Sequence, residues 1–295
     1  MAGTIITVQT KFNNPNLRRI TPASVDGILR DGLVGAWRPY GSPGSVMDLS
    51  GNAYATQSGS PSFDAVSLIG NGNSGNNGFQ TTVQETKNIT HVAVCKPRLG
   101  SNGAWGVASP YFRNVCSTHN RDTTSSTGDC GSGIYYSITT SGTTYSFNVN
   151  MEAGYWNTST NQYSILGRSA VVYSTTSANL SDITEAQIPW VWAAVSIDGD
   201  NEKVLMAAPG MGFSFTDQNN ANYKYGQRRL TIPKTGDPCT IPLAMPMLNS
   251  DWVTATSTVA VAEILTFNRA LSMDDINTQY NLSRSWMAAN RGISI

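Results

Sequence analysis

The segment "IPWVWAAVSIDGDNEKVLMAAPG", residues 188–210, carries the clearest strand pattern of the chain. Asp198 and Gly199 predict a hairpin turn, after which Val204 and Leu205 open the return strand. Before the turn, one alternating phase holds Trp190, Trp192, Ala194 and Ser196, and the other holds Val191, Ala193, Val195 and Ile197. Because both phases are apolar, we expect a central strand buried between two layers.

Other short runs of the same kind predict further strands, among them "ITHVAVCKPR" and "GRSAVVYSTT". Ser141-Gly142 marks a second hairpin turn in "GIYYSITTSGTTYSFNVN". In "DLSGNAYATQSG", Asp48 and Ser50 can accept hydrogen bonds from their own backbone while Gly51 takes a positive φ. Strands at this spacing, with almost no helical periodicity before residue 272, predict an all-β protein, an antiparallel sandwich of the jelly-roll kind.

The chain closes differently, with a strand that runs directly into a helix. Val259, Val261, Leu265 and Phe267 share one phase of the strand with Glu263. A buried carboxylate needs donors, which Arg269 or backbone N–H groups could supply, and a catalytic carboxylate is the alternative interpretation.

The helix is predicted for residues 272–290, with Ser272 and Asp275 forming a capping box. Its apolar stripe consists of Met273, Ile276, Tyr280 and Met287. We expect this stripe to pack over an open end of the sandwich. The flank formed by Leu282 and Trp286 either joins the core or remains for a partner.

The domain organisation follows from these patterns. Residues 1–31 predict an extended N-terminal arm and linker, and residues 32–295 predict one β domain that ends in the helix. The arm could add a strand to a neighbouring copy of the chain.

Charge and composition exclude several function classes. The formal net charge is zero and the sequence pI is about 6.7, so no electrostatic argument favours nucleic acid. The arginine pairs Arg18-Arg19 and Arg228-Arg229 are interpreted as solvated surface. No apolar run approaches the roughly 20 residues of a membrane span, and the N-terminal residues lack the features of a signal peptide.

The four cysteines fit no standard metal or redox spacing. Cys116 and Cys130 either stay reduced or form one small disulfide. A zinc site built from Cys116, His119, Asp129 and Cys130 is the less favoured alternative.

Four segments, in order, resemble the laminin-G-like, concanavalin A-like jelly rolls. These are "GLVGAWRPYG…VMDLSGNAYA", "ITHVAVCKPR", "WVWAAVSIDGDNEKVL" and "AEILTFNRALSMDDINTQYN". In the last segment the matching residues are Glu263, Asn268, Arg269, Ala270, Leu271, Ser272 and Ile276, while Ala262 and Asp275 depart from the pattern. The resemblance covers about residues 32–288 and implies a lectin-like sandwich whose terminal helix is a family feature. The resemblance also implies a calcium-binding site, for which Asp198 and Asp200 are the candidate ligands.

Candidate chemistry favours binding over catalysis. None of the five glutamates has an acidic partner at the spacing that paired catalytic carboxylates use on one strand. Aromatic side chains among amides and hydroxyls are typical of sugar contacts, and we expect them on loops. The candidates are Trp105, Tyr111, Phe112, Tyr155, Trp156 and Tyr163, with core anchoring as the alternative for each cluster.

The resemblance and the composition together predict a non-enzymatic virion structural protein of a bacteriophage, in a tail, fibre or capsid decoration. Its expected partners are copies of itself, other virion proteins and host surface glycans. The alternatives are a carbohydrate-binding module of a bacterial surface or secreted protein, which would be extracellular, and a glycan-active hydrolase.

Overall fold

The structure is a computed structural model. It describes residues 26–71, 77–100, 103–105, 111–118, 130–232, 235–244 and 258–295, without the side chains of residues 71 and 111–113. The first eight strands are β1 (Leu33–Trp37), β2 (Ala55–Ser58), β3 (Ser62–Phe63), β4 (Leu68–Asn71), β5 (Gly78–Gln84), β6 (Asn88–Arg98), β7 (Tyr111–Asn114) and β8 (Ser132–Ser141). They are followed by β9 (Thr144–Asn157), β10 (Gln162–Thr176), β11 (Val191–Asp198), β12 (Lys203–Ala208), β13 (Phe213–Gln218), β14 (Tyr223–Lys224), β15 (Thr240–Leu243), β16 (Thr258–Phe267) and the helix α1 (Met273–Arg291).

The strands form antiparallel sheets, as the sequence predicts. The large sheet has the order β13-β12-β11-β6-β16-β4-β3, with β1 paired to β16. A second sheet has the order β10-β9-β8-β7, with β14 paired to the end of β9, and a third consists of β15, β5 and β2. The all-β sandwich is therefore confirmed, as are the hairpin turns after Ser141 and Asp198.

The main core lies between the large sheet and the two smaller ones. Strand β11 contributes Val191, Ala193, Val195 and Ile197 to this core, whereas its Trp192 and Ala194 face the opposite side. This alternation confirms the prediction of a central strand buried on both faces. Burying residues 191–197 of this strand stabilises the sandwich through the apolar area removed from water.

The second core lies under α1, and it corrects one prediction. Ile276, Tyr280 and Met287 of the helix pack with residues of β6, β11, β12 and β16 on the outer face of the large sheet. The helix therefore covers a sheet face and not an open end of the sandwich. Its capping box is confirmed, because Ser272 Oγ accepts from the Asp275 backbone N–H and Gly292 ends the helix at φ 65°. None of the helices in the described ranges is both long and apolar enough to cross a membrane.

Strand β16 corrects a second prediction. A β-bulge interrupts its pairing with β6 between Val261 and Glu263. Val259 and Val261 consequently face the main core, whereas Leu265 and Phe267 face the helix. The predicted single phase is wrong because one extra residue in a strand inverts the alternation after it.

Residues 26–31 of the predicted arm are part of the packed domain. Ile28 is completely buried in the core under α1, and the Leu29 N–H donates to Gln279 Oε1 at 2.8 Å. Gly27, at φ 68°, lies against Leu282 and Trp286 so closely that a Cβ there would stand 3.1 Å from the Trp286 Cβ. The rest of the arm, residues 1–25, lies outside the described residues.

Candidate functional site

Glu263 is a structural acid on the helix side of the large sheet. It forms an ion pair with Arg38 at 2.6 Å, and both side chains are almost inaccessible to solvent. The Ser283 hydroxyl of α1 donates to its other oxygen. The prediction that Arg269 donates to Glu263 is wrong, because Arg269 instead forms ion pairs with Asp31 and Asp275 at 2.9 and 3.0 Å. A carboxylate that is closed to solvent and paired with arginine does not reach a substrate.

A second buried carboxylate, Glu85, lies on the opposite side of the large sheet. Arg228 Nη1 approaches Glu85 Oε2 at 2.7 Å, and the hydroxyls of Thr118 and Ser132 donate to Oε1. Burial alone would raise the pKa of Glu85. The charge of Arg228 and the bonds from His91 and Ser132 outweigh burial and hold the pKa well below its ordinary range. The interpretation of Arg228 as solvated surface is wrong.

This cluster contains a serine, a histidine and a glutamate, but not in the arrangement of a catalytic relay. His91 Nε2 lies 3.0 Å from Ser132 Oγ and 3.4 Å from Glu85 Oε1, so one ring nitrogen faces both groups. A relay needs the carboxylate on the other ring nitrogen, which orients the base. His91 Nδ1 has no partner in the described part of the chain. With all three residues buried, the cluster is structural.

The predicted sugar-contacting aromatics separate into three groups. Trp105 and Tyr155 are buried, with Trp105 Nε1 donating to the Ile183 carbonyl at 2.7 Å and Tyr155 packing on Tyr223 and Tyr225. Their role as exposed loop contacts is wrong, because both belong to the main core. Tyr111 and Phe112 belong to the described backbone of β7, but their side chains lie outside the described residues.

The third group, Trp156 and Tyr163, forms a half-buried surface pair. The two residues are directly paired across β9 and β10, and their rings meet edge to face at 4.7 Å. The Arg229 guanidinium lies over the Tyr163 ring at 4.3 Å from its centroid. We call these three residues the aromatic–arginine cluster. Both aromatic residues lie on strands, so the prediction that they lie on a loop is wrong.

The cluster continues into a row of polar side chains on the same face of the sheet. Alternate residues of β9, namely Val149, Met151 and Ala153, face the core, so Asn150 and Glu152 face outward with Trp156. Asn150 Nδ2 donates to Ser137 Oγ at 2.9 Å, and Ser169 Oγ donates to Asn150 Oδ1. We call this row the polar strip; it consists of the buried residues Ser137, Asn148, Asn150 and Glu152 and the exposed Ser169.

Tyr135 of β8 extends the same face, because it is paired with Asn150 across the sheet. Burial and the nearby Glu152 carboxylate raise the pKa of Tyr135 above its ordinary range. The phenol therefore stays protonated at neutral pH, where it is hydrogen-bonded to Glu152.

The calcium candidates occupy the turn between β11 and β12. Asp198 accepts from the Asn201 backbone and side chain at 3.0 and 2.8 Å, and Asp200 binds Lys87 at 2.7 Å and Asn88 at 2.6 Å. No group of three acids, histidines or cysteines that could hold a metal occurs among the residues the structure covers. The hairpin and its ion pair thus account for both carboxylates.

The cysteines are free thiols, which confirms the first of the two alternatives for Cys116 and Cys130. None of the four forms a disulfide, and all four are buried. Cys130 Sγ lies 3.6 Å from Cys239 Sγ, whereas Cys116 belongs to the main core. A link between Cys116 and Cys130 therefore has no support in the structure. Two members of the predicted zinc site, His119 and Asp129, lie outside the described residues.

The sequence analysis did not predict the roles of Arg228 and Arg229, whose side chains lie in different parts of the fold. Arg228 enters the Glu85 cluster, and its neighbour Arg229 reaches the surface aromatics. Consecutive residues in an extended segment point to opposite sides, so an Arg-Arg pair can serve a buried and an exposed site together. This alternation is the sequence feature from which the two different environments of Arg228 and Arg229 could have been predicted.

Comparison with known proteins gives distant structural similarity alone. No family model matches the sequence, and no curated protein matches it. Similar solved structures include the binding domain of Paraclostridial Mosquitocidal Protein 1, at 14% identity, TM-score 0.47, 88% of this chain and 53% of that one. The botulinum neurotoxin serotype D binding domain has 10% identity and a TM-score of 0.47, and the match covers 88% of this chain and 52% of that one. The serotype G binding domain has 11% identity and a TM-score of 0.45, and the match covers 88% of this chain and 51% of that one.

The chain thus spans about half the length of the solved chains that it matches. Similarity at this level identifies neither a family nor a ligand.

Proposed function

We propose that this protein is a non-enzymatic carbohydrate-binding β-sandwich whose sugar site is the outer face of the five-stranded sheet. The observation that carries the proposal is the half-buried surface pair of Trp156 and Tyr163, with Arg229 stacked over the Tyr163 ring. Half-exposed aromatic faces pack against the C–H surface of a sugar ring, and the hydroxyl of the exposed Ser169 on the same face can exchange hydrogen bonds with its hydroxyls. The Arg229 guanidinium over the Tyr163 ring, 4.3 Å from its centroid, places a positive charge beside the aromatic faces.

A glycan array probed with the full chain tests the proposal. Trp156→Ala and Tyr163→Ala should each weaken binding to the best glycan about 10-fold, which corresponds to the roughly 1.4 kcal/mol expected for one aromatic contact. Tyr54→Ala is the matched control, because Tyr54 is 78% exposed and precedes β2 of another sheet. The proposal is wrong if no glycan binds, or if all three variants bind equally well.

The hydrolase alternative is disfavoured because Glu85 and Glu263 are each neutralised by a buried arginine. Glu152, a buried member of the polar strip, is the carboxylate to test. Incubating bound glycans with the protein and measuring released reducing ends checks this alternative. We expect no release by the wild type, and release that Glu152→Gln abolishes would favour the enzyme.

We further propose, from the sequence resemblance and the composition, that the domain belongs to a bacteriophage particle and is attached through residues 1–25. Arg38 donates to the carbonyls of Asp26 and Gly27, which supports a truncation point just before Asp26. The solution mass of the full chain should be that of an oligomer, and the mass of a chain lacking residues 1–25 that of a folded monomer. Two monomers would contradict attachment through the arm and would favour a bacterial surface or secreted module.

A further inference from the structure

A second candidate binding site lies on the helix side of the molecule, away from the five-stranded sheet. A cavity of about 440 Å³ opens between the C-terminal end of α1 and the segment before β4. Its volume is in the range of pockets that hold small organic ligands. The lining residues are Tyr40, Ala65, Val66, Trp286, Asn290 and Arg291.

Arg291 supplies the charge of this pocket. Its guanidinium stacks on the Tyr40 ring at 3.6 Å from the centroid and lies 5.4 Å from the centroid of Trp286. It has no carboxylate partner in the described part of the chain, and its recorded hydrogen bond is the one from Nη2 to the Arg38 carbonyl at 3.0 Å. Burial lowers the pKa of Arg291, although it stays far above neutrality. The pocket therefore contains a partly desolvated, uncompensated cation.

The second arginine near the pocket contributes no net charge. Arg38 covers Trp286 at 3.9 Å from the ring centroid, but its charge is balanced by Glu263 at 2.6 Å. The two arginines thus differ in whether a carboxylate balances their charge. Arg38 has a buried carboxylate partner, whereas Arg291 lies beside the cavity with no carboxylate partner among the residues that the structure describes.

We propose that this pocket binds the carboxylate of an acidic sugar. Stacking on Tyr40 and the bond from Nη2 to the Arg38 carbonyl leave the other N–H donors of the guanidinium edge for the oxygens of a carboxylate. Tyr40, 48% exposed, and Trp286 offer apolar ring surface to the C–H face of the sugar. Asn290 Nδ2 donates to the Trp286 carbonyl at 2.9 Å, so its Oδ1 can accept from a sugar hydroxyl. This proposal does not depend on the sheet-face site, because the two sites share no residue.

Titration of the full chain with D-glucuronate and D-glucose, followed by ligand-observed NMR, tests the proposal. The two sugars differ at one carbon, which carries a carboxylate in the first and a hydroxymethyl group in the second. We expect glucuronate to bind at least 10-fold more tightly than glucose, and Arg291→Gln to remove this preference. Arg284→Gln is the matched control, because Arg284 is an exposed arginine of the same helix.

Tyr40→Ala provides a second variant that leaves the charge in place, and it should weaken glucuronate binding several-fold. The proposal is overturned if glucuronate and glucose bind alike, if Arg291→Gln keeps the preference, or if inorganic phosphate competes as strongly as glucuronate. Trp156→Ala separates the two sites. If it abolishes glucuronate binding while Arg291→Gln does not, the sheet-face proposal stands and the pocket proposal fails.

Discussion

The described part of the molecule contains two buried carboxylate–arginine clusters, one on each side of the large sheet. On the helix side, Glu263 binds Arg38 and Ser283, and thereby joins β16 to the segment after β1 and to α1. Between the sheets, Glu85 binds Arg228, Ser132 and Thr118, which come from three other segments. Both clusters are closed to solvent, so their common role is to fix layers to one another and not to bind ligand.

The clusters differ in what the loss of a charge leaves behind. Besides Arg38, Glu263 has one hydroxyl donor, Ser283, whereas Glu85 has two, Thr118 and Ser132, in addition to Arg228. Removing one partner of a buried pair is costly because the other remains as an uncompensated charge. The helix side should therefore be the more sensitive of the two.

The largest expected effect is that of Arg38→Leu. It leaves the Glu263 carboxylate buried with Ser283 as its remaining hydrogen-bond partner, and it also removes the cation–π contact with Trp286. We expect the free energy of unfolding to fall by about 3–5 kcal/mol in urea denaturation.

Arg30→Leu is the control for this variant, because Arg30 pairs with Asp26 at the surface and should lose at most about 1 kcal/mol. The double variant Arg38→Leu/Glu263→Leu should recover most of the loss, since it removes the stranded charge. A double variant less stable than Arg38→Leu would contradict this account.

Glu85→Gln should have a smaller effect, of about 2–3 kcal/mol, because the amide oxygen still accepts a hydrogen bond near Arg228. Glu185→Gln is the control, as Glu185 pairs with Arg98 at 3.0 Å in a partly exposed position. If Glu85→Gln lowered the free energy of unfolding only as much as the control does, the Glu85 cluster would not fix the layers to one another.

The same variant tests the pH dependence. The native pKa of Glu85 lies below its unfolded value of about 4.3, so its contribution is fully present above roughly pH 5 and is lost as the pH falls. Below pH 4 the unfolded chain binds a proton that the native Glu85 does not, which gives a slope of about 1.4 kcal/mol per pH unit. In Glu85→Gln, this part of the acid slope should be absent from denaturation curves measured between about pH 2.5 and 5.

The two clusters also show what a sequence can predict. Glu263 was visible as a buried acid because it interrupts an apolar strand, and the capping box at Ser272 and Asp275 lies within four residues. The turn at Asp48 is equally local, since its carboxylate accepts from the backbone of Ser50, Asn52 and Ala53 at 2.7–3.0 Å. Each of these features depends on neighbours along the chain.

The partners of both carboxylates could not be predicted in this way. Arg38 is 225 residues from Glu263, and Arg228 is 143 residues from Glu85. The bulge in β16 could not be predicted either, and it reverses the alternation of faces that the apolar pattern of this strand predicts. For the candidate sugar site, the aromatics were found from composition, but only the strand register shows that Trp156 and Tyr163 meet while Tyr155 turns into the core.

The smallest expected effect is that of a local feature, the cap of α1, and it sharpens the contrast with the buried pairs. Ser272→Ala removes the acceptor for the Asp275 N–H at 3.1 Å, at a position where water can replace it. We expect a loss of about 1 kcal/mol in urea denaturation, and recovery in Ser272→Asp. Ser285→Ala, on the exposed side of the same helix, should change stability by less than about 0.5 kcal/mol. If Ser272→Ala cost as much as Arg38→Leu, the helix would depend on its cap, and the buried carboxylate would not be what fastens it to the sheet.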